Sequence, residues 1–415
     1  VNGTVAGVMF FNLSSATGQL ISSVHYLNYG DNSAFHAGAR FADGKQFWKD
    51  FTGIWNSEML VQRRKGVRFD ISVEEITDAI AKSENQVLGA FRWMLSKGYI
   101  PTKYADSFAI AIGGASFYRN RKNTYLKTMN NANAKKKAWE DFVELTEERQ
   151  QSSRPDFISK QQAGISGRIL LNWANTPIQM FRVQHKEIMD IAAGRFKGYA
   201  TGENSLKAKV SKIAYYGVIQ SAIFFSLQQA MWAISDSDDE EFVKQKELRV
   251  LNGMLDSYLK GYGALGQLTS ATKNTMMQYI KQNERGHRAN HAYTLLEAMS
   301  FSPPANVKGR KLYSFTQTMK YKKDIIKERG FSVDNPALLA TGKLVSATTN
   351  FPLDVVAKKM INLENMVEQD RTFWQRLWLF FGKTPYTLGL EDPDIVEAKK
   401  KTQKRKRRKS GSGYG

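Results

Sequence analysis

Apolar residues along this chain recur mostly at helical spacing. Ile76 and Ile80, then Val87, Phe91 and Met94, follow Ser72-Val73-Glu74-Glu75. That tetrad is a capping box, in which Ser72 accepts from the Glu75 amide and the Glu75 carboxylate answers at Ser72. Ser83-Glu84-Asn85 interrupts the run, so two helices are expected, ending near Lys97-Gly98 with a break at Pro101. Residues 105–118 are nearly uncharged and contain Gly113-Gly114. A charged helix is predicted over about Ala134–Gln150, stopped by Ser152-Ser153-Arg154-Pro155. The apolar stretch from Ile165 to Phe181 breaks at Asn175-Thr176-Pro177, where Pro177 suits the first turn of a new helix.

Lys197 to Leu206 reads as a polar link. Amphipathic spacing resumes over 243–262, where Gly261, Gly263 and Gly266 permit a close helix approach or a hinge. Ser302-Pro303-Pro304 reads as a turn. Asp334-Asn335-Pro336 opens a helix through about Ala347, Pro352 opens another, and Phe373, Trp374, Leu377, Trp378, Phe380 and Phe381 make an aromatic helix end before Gly382. Strand signatures are rare. The expected fold is mainly α: an elongated or multi-lobed helical assembly with a disordered basic C-terminal tail. Four regions are expected: 1–60 with an uncharged start, 61–200 with a basic zone, 201–390 with a candidate membrane or buried helix, and the flexible tail 391–415.

A conspicuous uncharged run of 23 residues is Ile213–Ser235. Lys207, Lys209 and Lys212 precede it, and Asp236, Asp238, Asp239, Glu240 and Glu241 follow. A helix of about 20 residues crosses a bilayer, and asymmetric flanking charge orients one. Ile213, Val218, Ile219, Ile223, Phe224, Phe225, Leu227 and Trp232 would face lipid or a protein core. Gln220, Gln228, Gln229, Tyr215, Tyr216 and Gly217 make the run wetter than a permanent anchor. Burial, with membrane entry only on delivery, is the expectation.

Charge sharpens the picture. Lys and Arg total 60 against 39 Asp and Glu, a net charge of +21, which favours polyanions. The densest cluster is Lys399, Lys400, Lys401, Lys404, Arg405, Lys406, Arg407, Arg408 and Lys409. Such a tail binds phosphates with steep salt dependence and little sequence preference; anionic lipid heads are a second target. Arg119, Arg121 and Lys122 open another basic zone that continues to Lys137, with Tyr118, Tyr125 and Trp139 among them. Cations there can neutralise phosphates while aromatics stack on bases. The plainer alternative is a solvated face with the aromatics turned inward.

Catalytic signatures are missing. The chain has no cysteine, which excludes disulfides, thiolate metal sites and a cysteine nucleophile. Gly113-Gly114 lacks the context of a nucleotide loop. His287 and His291 share a helix face, but the glutamate of a zinc protease is absent and Lys281, Arg285 and Arg288 surround them. Asp236–Glu241 lacks calcium-loop spacing. A non-enzyme without cofactor or metal is expected.

Several phrases together resemble the large internal, ejected or "polyvalent" virion proteins of short-tailed and crAss-like bacteriophages. They include Phe11-Asn12-Leu13-Ser14-Ser15-Ala16, Phe117-Tyr118-Arg119-Asn120 and Leu259-Lys260-Gly261-Tyr262-Gly263-Ala264. Later come Phe301-Ser302-Pro303-Pro304, Asp334-Asn335-Pro336, Asn350-Phe351-Pro352-Leu353-Asp354 and Trp374-Gln375-Arg376-Leu377. The likeness spans most of the chain to about Leu390 and names no catalytic residue. It implies packaged cargo delivered with the genome, present in multiple copies in the capsid or tail interior. The implied partners are portal, tail or other cargo proteins, genomic DNA, and the host membrane on ejection. With Val1 in place of Met, it also implies a processed or C-terminal segment. Two alternatives stand: a static protein lining the portal or tail lumen, and an accessory nucleic-acid-binding subunit of a virion RNA polymerase.

Overall fold

Pro101 sits in the first turn of the helix around which the N-terminal half is built. In the computed structural model, residues 13–66, 93, 96–150, 175–195, 206–220, 222–223, 251–260, 262–284, 291–330, 335–367, 371–380, 388 and 390 are described. Among them there is no β-strand, and the chain is mainly helical, as expected. The first helices are α1 (Leu13–Ile21), followed by a 3₁₀ turn at Ser22–Tyr26, α2 (Ala34–Ala42), α3 (Gly44–Trp55) and α4 (Glu58–Lys65). Then come the long α5 (Ile100–Tyr125) and α6 (Asn131–Arg149). Ser33, Ser57 and Asn130 cap α2, α4 and α6 by accepting from the amides of His36, Leu60 and Asn133. Gly66, at φ 106°, ends α4 in the left-handed conformation.

α5 packs against α1, α2, α3, α4 and α6. The nearly uncharged run becomes its buried length, and the core joins Phe47, Ile54, Leu60, Ile110, Phe117, Phe142 and Leu145. That core takes residues from both sides of position 60. Gly113 and Gly114 have a packing role. A Cβ on Gly113 would overlap the Tyr26 ring and stand 2.6 Å from the Ser23 carbonyl; one on Gly114 would overlap the Phe142 ring. Removing both side chains lets the two rings lie directly on α5.

Several polar side chains also enter this core with partners. Arg63 donates to Asp106 from Nε at 2.6 Å, and both are buried. Asn120 donates to Asn32, which donates to the Tyr26 carbonyl. Thr146 gives its hydroxyl proton to the Phe142 carbonyl, so the Tyr26 hydroxyl donates to Thr146, at 2.9 Å.

α7 (Asn175–Ala192) starts at the expected Asn-Thr-Pro break. α8 (Leu206–Ala214) continues into a π-turn at Tyr215–Ile219. The C-terminal half holds the helical residues 251–260, α9 (Ala264–Glu284), α10 (His291–Ala298), α11 (Pro303–Tyr321), α12 (Lys323–Arg329), α13 (Pro336–Thr349), α14 (Leu353–Val367) and α15 (Phe373–Phe380). Ser302-Pro303-Pro304 opens α11 rather than merely turning the chain. Asn335 caps α13 at the Ala337 amide, and Asn350, at φ 63°, ends it. Buried Asp354 receives Lys311 at 2.9 Å and Ser346, tying α11, α13 and α14 together. The predicted capping box at Ser72 and both helices after it, up to residue 92, lie outside the described residues, as do Asp236–Glu241.

Candidate functional site

The described beginning of the uncharged run, residues 213–220 with 222 and 223, is docked on the N-terminal core. Its contacts are made by tyrosines. Tyr215 donates to the Val24 carbonyl at 3.1 Å and Tyr216 to the Leu27 carbonyl at 3.0 Å. Both rings are buried, with Val183 beside them. Ile213 and Ile223 are half-buried, whereas Val218 is 59% exposed and Ile219 is exposed. The expected buried face is therefore corrected at Val218 and Ile219. A tyrosine brings a large ring and a donor, and the donor reaches carbonyls at the 3₁₀ turn and just after it, which Val and Ile cannot do. Phe224, Phe225, Leu227 and Trp232 lie outside the described residues. Among the described residues, no helix is long and apolar enough to cross a membrane.

Upstream, Lys209 is buried between Glu187 at 2.9 Å and Asp190 at 3.1 Å, and Lys212 reaches Glu187 at 3.5 Å. These lysines, read as a membrane flank, clamp α8 to α7. Hydrogen bonds from Arg195 and Lys209 hold the Asp190 carboxyl below the usual range.

Arg119 and Arg121 are turned onto carboxylates. Arg119 donates twice to Asp50, at 2.6 and 2.5 Å. Arg121 is buried, pairs with Asp141, and approaches Asp31 at 3.8 Å. A phosphate would have to displace those acids. Lys122 is half-buried, and burial followed by the charges of Arg119 and Lys135 lowers its pKa. The exposed part of the zone is Lys127 and Lys135–Lys137. The partners Asp31 and Asp50 lie on other helices or turns, 69 or more residues away in sequence, so linear charge spacing could not reveal them. The tail residues Lys399, Lys400, Lys401, Lys404, Arg405, Lys406, Arg407, Arg408 and Lys409 lie outside the described residues, as does His287. His291 is exposed at the start of α10. Among the described residues no group of His, Asp or Glu is placed to hold a metal.

A cleft of about 750 Å³ opens between α6 and α7. Glu140, Glu144 and Glu148 line one wall, and Arg182, His185 and Lys186 the other. The two charge signs face one another, as in a gap between helices matched by charge.

The most unusual surface is the helical hairpin formed by 251–260 and α9. Its inner seam is polar. Asp256 accepts from Ser270 at 2.7 Å and Asn274 at 2.8 Å and pairs with Lys273 at 2.7 Å; Asn252 donates to Asn274 at 3.0 Å. Its outer faces are apolar. Leu251, Leu255, Tyr258 and Tyr262 are exposed on the first arm; Leu265 (78%), Leu268, Met276, Tyr279 and Ile280 are exposed on the second. Residues 251–280 contain only three charges, Asp256, Lys260 and Lys273, and two of those neutralise each other inside. Gly266 permits the tight return, because a Cβ there would overlap the Leu259 carbonyl. Of the amphipathic helix predicted over 243–262, residues 251–260 are described, and they turn apolar side chains outward.

No family model, curated protein or solved structure matches the chain.

Proposed function

We propose that this chain is a non-catalytic cargo protein of a tailed-phage particle, delivered with the genome. Its basic tail binds DNA non-specifically and its hairpin meets the host envelope. The observation that carries the reading is the reversed hairpin at 251–284. Helices facing lipid place their polar groups against one another and their apolar side chains outward. Water rewards the opposite arrangement. A polar-seamed hairpin can enter a bilayer as a pair although neither arm is apolar enough to cross alone. The resemblance to internal virion proteins and the +21 net charge support the same reading.

The test follows the protein after adsorption. Tagged chain should fractionate with the host envelope, and Leu265→Glu with Met276→Glu should reduce that recovery. Recovery solely in emptied particles would favour the static reading, in which the same faces are covered by portal or tail subunits. Deleting 399–409 should weaken DNA binding and flatten its salt slope. Polymerase activity that copurifies with the chain and depends on it would instead favour the accessory-subunit reading.

A further inference from the structure

α14 also turns polar residues inward. Asp354 is held by Lys311 and Ser346, and Asn362 donates to the Leu379 carbonyl at 2.8 Å. These two anchors, eight residues apart, fix the rotation of the helix. The face they leave outward carries Leu353, Val356, Met360, Leu363 and Val367, at spacings of three, four, three and four. That is an a/d seam across two heptads. Met360 is 55% exposed, Leu363 56% and Val367 81%, while Leu353 is exposed and Val356 half-buried.

The residues flanking the seam identify what covers it. With Leu353 at a, Lys359 falls at g and Glu364 at the following e. In a parallel, in-register pair, each g side chain meets the e side chain five residues later on the other helix. Lys359 of one copy would therefore meet Glu364 of the second, and the twofold axis would repeat the pair. An antiparallel pair sets g against g and e against e, which brings like charges together. Lys359 now reaches the Phe380 carbonyl at 3.4 Å, and Glu364 is exposed. A lipid surface would have no use for a Lys and a Glu set five residues apart beside the seam.

We infer that α14 is a self-association surface that pairs with α14 of a second copy in a parallel two-stranded coiled coil. Neither DNA nor membrane is needed, so this pairing stands or falls apart from delivery. The absence of cysteine in the chain makes a clean test. Leu363→Cys, at a seam position, should form a disulfide-linked dimer of the full chain under mild oxidation; Lys358→Cys, at the f position on the side of α14 opposite the seam, should not. In the Leu363→Cys background, Lys359→Glu should cut dimer yield several-fold. Adding Glu364→Lys should restore it, because the charges again match. Circular dichroism checks that each variant keeps its helix content. Equal crosslinking at 358 and 363, or none at 363, overturns the proposal. Crosslinking at 363 that ignores the charge reversal overturns the parallel arrangement.

Discussion

The guanidinium of Arg149 lies 4.3 Å from the ring centre of Tyr216 and also covers the ring of Tyr29, at 5.3 Å. Its Nε and Nη1 make no hydrogen bond, and Glu148 stands 3.8 Å away. Aromatic faces replace much of the lost water. A desolvated cation–π contact is worth about 2 kcal/mol. One cation thus joins the end of α6, the turn after Tyr26, and the start of the uncharged run.

Replacing Arg149 separates charge from volume. Arg149→Ala leaves a void under two rings and should cost about 2–4 kcal/mol. Arg149→Met fills that space without a buried charge and should stay within about 1 kcal/mol of the parent. Urea unfolding of the full chain, followed by circular dichroism, reads both.

Arg63 and Asp106 behave as a unit. Asp106→Ala removes the carboxylate that buried Arg63 donates to, leaving Glu147 as the remaining nearby acid, and should cost about 3 kcal/mol. The double change Arg63→Met with Asp106→Leu should recover most of that loss in the same unfolding measurement.

The two glycines of α5 should differ in how they can be rescued. Gly114→Ala presses on the Phe142 ring and should cost about 1–3 kcal/mol, partly recovered by Phe142→Leu. Gly113→Ala also meets the Ser23 carbonyl, which is backbone. Trimming Tyr26 should therefore not restore it. Thermal midpoints of the four variants give the comparison.

His25 predicts an acid-side loss of stability. Burial first, then the Arg149 charge, lowers its pKa from 6.5 to about 4, against the opposing effect of its hydrogen bond to the Arg149 carbonyl. The fold holds it neutral, so its contribution is complete above about pH 6.5 and declines as pH falls toward 4. The decline is at most about 1.4 kcal/mol per pH unit. His25→Gln should flatten the dependence of the unfolding midpoint on pH across that window.

Helix positions were legible where local chemistry decides them. Pro177, Asn335 and Pro352 mark starts through caps and fixed φ angles, and a helix begins at each one. Facing was less legible. Tyr215 and Tyr216 displaced the aliphatic residues from the buried side because the docking surface offered carbonyls. Arg119 and Arg121 turned inward because Asp50, Asp31 and Asp141 met them from other elements. Over 251–260 the helical period was correct, but a period does not say which face meets water. The packing role of the paired glycines of α5 was hidden because their contacts, Tyr26 and Phe142, are distant in sequence.

The turn at residues 22–28 has its partners far downstream. His25 meets Arg149, Tyr26 meets Thr146, Asn28 meets Ser211 and Leu27 meets Tyr216, at separations of 124, 120, 183 and 189 residues. Local helices form within about a microsecond, but synthesis proceeds at roughly 5–20 residues per second. During translation this turn therefore waits roughly 10–40 s for its last contacts to emerge. It is a clasp that closes late, and in that interval it is the part of the N-terminal half that a chaperone or protease can reach.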